Sequence, residues 1–255
     1  TREKALALSG QGVVAAPTPA DAIAGADFAL LVLSDADAIA ETVLTPDLLP
    51  LLAGCTFIQM GTIAPAESRD LAARFEAANA AYLEAPVLGS LPEAREGRLI
   101  VMAGGELALF ERCTPLLRDL GSSPRLIGPV GQGAALKLAM NQLIAGLTAT
   151  FSLSLGLVRA EGIPVGQFLE LLRTSALYAP TFDKKLDKYM GHDYGKANFP
   201  LQHLLKDVRL FRRVAERLQM DTAFVTTIEA ACIRALDQGY ADQDYSSLYE
   251  AMVRR

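Results

Sequence analysis

Tryptophan is absent from the 255 residues, and there are only three cysteines and two histidines. Cys55, Cys113 and Cys232 are far apart and odd in number, which excludes a disulfide framework and paired metal-ligand spacing. Unpaired thiols fit a reducing, cytoplasmic compartment. His192 and His203 have no partner at metal-ligand spacing and read as structural. No Lys/Arg cluster is long enough to make a nucleic-acid-binding face, and the net charge is −5, so no nucleic-acid partner is expected. No uninterrupted apolar run approaches the roughly 20 residues that span a bilayer, so no membrane partner is expected. What the chain does have is apolar material, 51% of its residues, enough to offset the entropy of folding. Its length suits one large domain or two ordinary ones. It starts at Thr1, which leaves an upstream targeting segment open.

The first half alternates short apolar runs with helical patterns. Residues 28–33, 56–60, 81–85, 99–103 and 125–127 read as strands, most of them stopped by Gly, Pro or a polar pair. Between them, Thr18-Pro19 opens one helix, Ala64-Pro65-Ala66-Glu67 opens another, and Glu106 to Leu120 reads as a third, closed by Gly121. This alternation predicts a mostly parallel sheet with helices on its faces.

The second half changes character after residues 128–131. From Ala134 to Glu161 the sequence is helix-forming, free of proline and apolar nearly all round. That pattern predicts burial on most faces, by a surrounding domain or by a second subunit. Helices follow at 164–174, 180–190, 201–218 and 221–238, with a tail from Tyr245. The domain expectation is therefore α/β over 1–128 and all-helical over 129–255. A nucleotide-binding α/β domain normally opens on a strand and a GxGxxG turn. No such turn follows a leading strand here; Gly10-Gln11-Gly12 precedes a strand and reads as a helix cap and turn.

Lys137 and Asn141 lie four residues apart, on one helix face, just after Gly131-Gln132-Gly133. The glycines permit close approach of a ligand or another chain. A lysine among Ala134, Leu136, Leu138 and Met140 is either a general acid tuned by poor solvation or a helix-start lysine reaching out to solvent. The segment 86–92 is either a turn or a loop offering backbone amides and the Ser90 hydroxyl to a carboxylate. Gly61-Thr62 is similar. Lys206-Asp207 is either a solvated face or part of a site. Cys113, beside Arg112, reads as helix packing.

Taken in order, these motifs resemble the β-hydroxyacid dehydrogenase family, which includes 3-hydroxyisobutyrate dehydrogenase and glyoxylate/succinic semialdehyde reductase. The family shares the 6-phosphogluconate dehydrogenase NAD-binding fold. The resemblance covers essentially the whole chain. Glu84-Ala85-Pro86-Val87-Leu88-Gly89-Ser90, continuing through Ala94 to Gly97, is similar to the substrate loop. Gly131-x-Gly133-x-x-x-Lys137-x-x-x-Asn141 is similar to the catalytic segment. Lys206-Asp207 and Gly61-Thr62-Ile63 resemble a helical-domain pair that reaches the active site and a loop at the nicotinamide ribose. There are three departures. Thr1-Arg2-Glu3-Lys4 resembles the stretch after the family's second strand, so the first βαβ unit, about 30 residues, is not in this sequence. Leu88-Gly89-Ser90 stands where Ser-Gly-Gly is usual. Gly61 stands where Ser is commoner.

The resemblance implies an incomplete Rossmann-type domain followed by an all-α domain. It implies hydride transfer between a nicotinamide cofactor and a small aldehyde acid or 3-hydroxy acid. In that reaction Lys137 is the proton donor or acceptor, and Asn141 holds substrate oxygens or orients the lysine. Leu88, Gly89 and Ser90 meet the substrate carboxylate, Phe199 acts as a lid, and Asp207 orients Lys206. The cofactor contacts are Thr1, Leu33, Ser34, Thr62 and Lys206. Thr1-Arg2 resembles the edge of an NADP-type loop, which favours NADP over NAD. A homodimer or higher homo-oligomer is expected. The alternatives are a catalytically silent fragment, or a non-enzymatic dimeric interaction protein of the same fold.

Overall fold

A computed structural model describes residues 2–253. The chain divides into two compact units, residues 1–137 and 138–255. The division falls inside a helix whose first turn is bonded to the sheet of the first unit.

The first unit holds strands β1 (Phe28–Leu31), β2 (Thr56–Gln59), β3 (Ala81–Glu84), β4 (Val87–Leu88), β5 (Ile100–Gly104) and β6 (Arg125–Gly128). Its helices are α1 (Arg2–Leu6), α2 (Pro19–Ile23), α3 (Ala36–Val43), α4 (Pro65–Ala77), α5 (Leu91–Arg95) and α6 (Leu107–Leu120). The sheet runs β1-β2-β3-β5-β4, with β6 also paired to β5. The first three strands are parallel, in register Phe28↔Thr56 and Thr56↔Ala81. The sheet is thus mostly parallel, with a local exception: β5 is antiparallel to β3 and to β4, while β6 is parallel to β5. The cause is local. After Pro86 the chain pairs at once as β4, and the five residues of α5 reach only about 7.5 Å, too short to carry it back across the sheet.

Helix starts follow the side chains that can accept backbone N–H groups. The Asp35 carboxylate accepts from Ala38 N at 2.8 Å and starts α3. The Glu67 carboxylate accepts from Ala64 N at 2.7 Å and starts α4. The core is apolar and aromatic: Phe75 stacks between Phe57 and Tyr82, with ring centroids 4.4 and 5.6 Å away.

The long helix α7 spans Gln132–Ala160. Helices α8 (Val165–Thr174), α9 (Pro180–Gly191), α10 (Leu201–Arg217), α11 (Ala223–Ala235) and α12 (Leu248–Met252) complete the second unit. No strand follows β6 among the described residues. The helix expected over 221–238 is α-helical to Ala235 and continues as a π-helical stretch, Leu236–Tyr240, broken at Gly239 with φ 92°. Ala145 and Ala149 of α7 pack in one core with Leu204 and Val208 of α10 and Ile228 and Ala231 of α11.

One expectation for α7 is corrected. Its 29 residues include an 18-residue stretch of mean hydropathy 1.5, long and apolar enough to cross a membrane by length and composition. Some of its polar groups bond inside the protein: the Thr148 and Ser152 hydroxyls donate to the carbonyls four residues back, and Asn141 donates to a side chain of α10. Leu143, Leu153 and Leu157 of this helix are exposed within this chain.

Candidate active site

Strand β3 ends on Glu84, which is fully buried. Its Oε1 accepts hydrogen bonds from the backbone N–H of Gly131 and Gly133, both at 2.8 Å, and from Ala134 at 3.3 Å. Its Oε2 accepts from the Ser68 hydroxyl. The N–H groups at a helix start have no partners in the helix, so an internal carboxylate closes the start of α7. Burial pushes the Glu84 carboxyl above the usual range, against the opposing pull of those four bonds.

This geometry explains the glycines. A Cβ on Gly133 would lie 2.5 Å from the Met102 carbonyl oxygen and 3.1 Å from Glu84 Oε1. Gly131 adopts φ +99°, and the Arg69 guanidinium fills the space beside it. The close approach here is made by groups of the chain itself.

Lys137 follows one turn after Gly133 and is half-buried. Asn141 follows one turn later on α7 and is buried. Its Nδ2 donates to Asp207 Oδ2 at 2.5 Å, and Lys206 Nζ lies 3.2 Å from Asp207 Oδ1. Asp207 reaches this position because it shares the inward face of α10 with Leu204 and Val208. The Lys206-Asp207 pair is therefore not a solvated face: Asp207 is buried and bonded to Asn141. Phe199 precedes α10, stacks on His203 at 6.5 Å and tilts against Tyr245 at 5.8 Å.

Leu33 and Ser34 follow β1, and Thr62 follows β2, all at the C-terminal ends of parallel strands. Gly61 lets these two loops close, since a Cβ there would lie 2.6 Å from the Leu33 carbonyl oxygen. That is a steric reason for glycine where the family more often has serine. Thr1 lies outside the described residues. Leu88 ends β4 and pairs with Ile100. Gly89 takes φ +136° and leads into Ser90, the residue before α5. Ser90 N and Oγ both donate to Glu93 Oε2, at 2.7 and 2.6 Å. A carboxylate is thus already bonded to the groups expected to receive one.

Residues 1–131 match the NAD-binding domain of 6-phosphogluconate dehydrogenase. Residues 131–252 match the NAD-binding domain of NADP-dependent 3-hydroxyisobutyrate dehydrogenase. The chain belongs to the β-hydroxyacid dehydrogenase family. Glyoxylate/succinic semialdehyde reductase 2 of Arabidopsis thaliana is 28% identical, over 99% of this chain and 71% of that protein. The crystal structure of 3-hydroxyisobutyrate dehydrogenase from Salmonella typhimurium has a TM-score of 0.85 at 23% identity, covering 98% of this chain and 88% of that one. Psf3, solved with NADP+ and 2-OPP, has a TM-score of 0.86 at 23% identity, covering 99% and 89%. Members of this family are NAD(P)-dependent dehydrogenases and reductases, and the chain carries their NAD(P)-binding domain.

The role of Glu84 was hidden in the sequence, where it sits inside the substrate-loop motif. Its partners Gly131 and Gly133 lie 47 and 49 positions away. Glu93 was more accessible, since Ser-x-x-Glu is a capping pattern. All three cysteines are buried. Burial raises each thiol, that of Cys232 to about 12, so none is a reactive thiolate.

Proposed function

We propose that this chain transfers a hydride between NADP(H) and a small aldehyde acid of the succinic semialdehyde or glyoxylate type, or the matching 3-hydroxy acid such as 3-hydroxyisobutyrate. The observation that carries the reading is the buried Asn141–Asp207 hydrogen bond, one helical turn beyond Lys137.

A bound nicotinamide supplies or accepts the hydride. Leu33, Ser34 and Thr62 suit its ribose end, since two hydroxyls and a backbone segment sit at the ends of parallel strands. The glycine-rich pyrophosphate turn is not among these 255 residues. Lys137 donates a proton to the carbonyl oxygen during reduction and takes it back in oxidation. Asp207 fixes which way round the Asn141 amide lies, and so which atom it offers to a ligand. Gly89 and Ser90 hold the substrate carboxylate beside Leu88, and Phe199 covers it. Lys206 contacts the cofactor, held by Asp207. Thr1-Arg2 supports NADP over NAD. The exposed leucines of α7 support a homo-oligomer, and the three unpaired thiols support a reducing, cytoplasmic location.

The test is a titration of NADPH and NADH followed by the cofactor's own fluorescence, then turnover with succinic semialdehyde and glyoxylate. Saturable NADPH binding, with turnover lost on Lys137→Met, supports the proposal. Turnover that survives Lys137→Met overturns it. The second reading is a non-catalytic interaction protein of the same fold. It is supported if no nicotinamide cofactor binds.

A further inference from the structure

We propose that Glu84 is the positioning residue of the catalytic lysine: it fixes the start and rotation of α7, and with them the direction in which Lys137 projects. The inference rests on Lys137 being the proton donor.

Glu84 is not itself placed to meet a substrate. It is fully buried, and both carboxylate oxygens are occupied, Oε1 by three backbone N–H groups and Oε2 by Ser68. Ser68 is shared with the Tyr82 hydroxyl at 2.9 Å, so the carboxylate is held from α4 and β3 as well as from α7. An Oε1 bonded to the N–H groups of residues 131, 133 and 134 at one helix start defines both where the helix begins and how it is turned about its axis. Each residue turns the helix by about 100°, so a small rotation at Gly133 swings Lys137, one turn on, by the same angle. A shift of about 1 Å in a catalytic group is enough to cost about a hundredfold in rate. The bonds Gln132 N to Pro129 O and Ala135 N to Gly131 O are internal to this segment and do not tie it to the sheet.

The experiment compares Glu84→Ala, Glu84→Gln and Ser68→Ala with the unaltered chain. Glutamine keeps an acceptor oxygen at nearly the same place, and the Ser68 hydroxyl can turn to accept from its amide. Two readouts are taken. The first is steady-state reduction, where Glu84→Ala is expected to lower kcat at least tenfold with KM and cofactor binding changed less than threefold. Glu84→Gln should recover most of that loss, and Ser68→Ala should show a smaller loss of the same kind. The second needs no turnover: the rate of Lys137 acylation by an amine-directed reagent, read by mass spectrometry of its peptide. It should change several-fold in Glu84→Ala and return toward the original rate in Glu84→Gln. If Glu84→Ala does not fold, Ser68→Ala carries the same two readouts. Equal acylation rates and equal kcat in the folded variants overturn the positioning role. Loss of the functional reading is a separate result, seen as turnover that survives Lys137→Met.

Discussion

Lys185 of α9 and Asp244 form a buried ion pair, with Nζ and Oδ2 2.7 Å apart and almost no solvent reaching either side chain. Asp244 also accepts from Ser246 N at 3.2 Å and Ser246 Oγ at 2.7 Å, and Lys185 Nζ lies 4.6 Å over the Tyr245 ring. Removing one partner leaves a charge stranded in the interior. Lys185→Met should therefore destabilise the protein by about 3–5 kcal/mol. Adding Asp244→Asn should recover a large part of it, because the amide keeps an acceptor for Ser246. Urea denaturation of the three proteins decides this, and an unchanged midpoint for Lys185→Met would rule the pair out as a stabilising element.

Glu93 competes for the donors assigned to the substrate carboxylate. Glu93→Gln removes the competing charge while keeping an oxygen near Ser90. The KM for an aldehyde acid should then fall by about tenfold at most, since 1.4 kcal/mol is one decade of affinity, with kcat little altered. A KM that stays constant would mean that Ser90 does not receive the carboxylate.

The raised carboxyl of Glu84 predicts a pH dependence with a definite sign. In the folded protein the group holds its proton to higher pH than in the unfolded chain. Its contribution is fully present below the unfolded carboxyl value and is lost as pH rises through the folded value. Comparing urea midpoints between pH 4 and 8 should show Glu84→Gln gaining relative to the unaltered protein as pH rises. A pH-independent difference would contradict the assignment.

Leu143, Leu153 and Leu157 leave an apolar face on α7. Exposed apolar surface of this kind marks contact sites. Paired Leu153→Glu and Leu157→Glu should shift sedimentation toward monomer at micromolar protein, with circular dichroism unchanged. Monomeric unaltered protein at high concentration would remove the case for self-association.

Much of this fold is written in local signals. Proline-free, apolar sequence announces α7, and Thr18-Pro19 marks the start of α2, where the Thr18 hydroxyl accepts from Asp21 N at 3.2 Å. Asp35, with Ile39 and Val43 on one face, was an equally good signal for α3 that periodicity at strand length obscured. The reversed direction of β5 was not legible, because it depends on pairing between distant segments. In the candidate site, the four-residue spacing of Lys137 and Asn141 announces that one helix carries both, as α7 does. The role of Glu84 was not legible, since a carboxylate in a loop motif says nothing of the amides that surround it after folding.

Space around that carboxylate is shared with two other positions. A Cβ at Gly104 would fall on it, and one at Gly133 would crowd it. Residues 84, 104 and 133 therefore form a mutationally linked set drawn from β3, β5 and α7. Gly104→Ala alone should be disruptive, but more tolerable beside Glu84→Asp, whose shorter side chain withdraws from the added methyl. Divergence at any one of the three, in a sequence that still folds this way, would have to be accompanied by change at another.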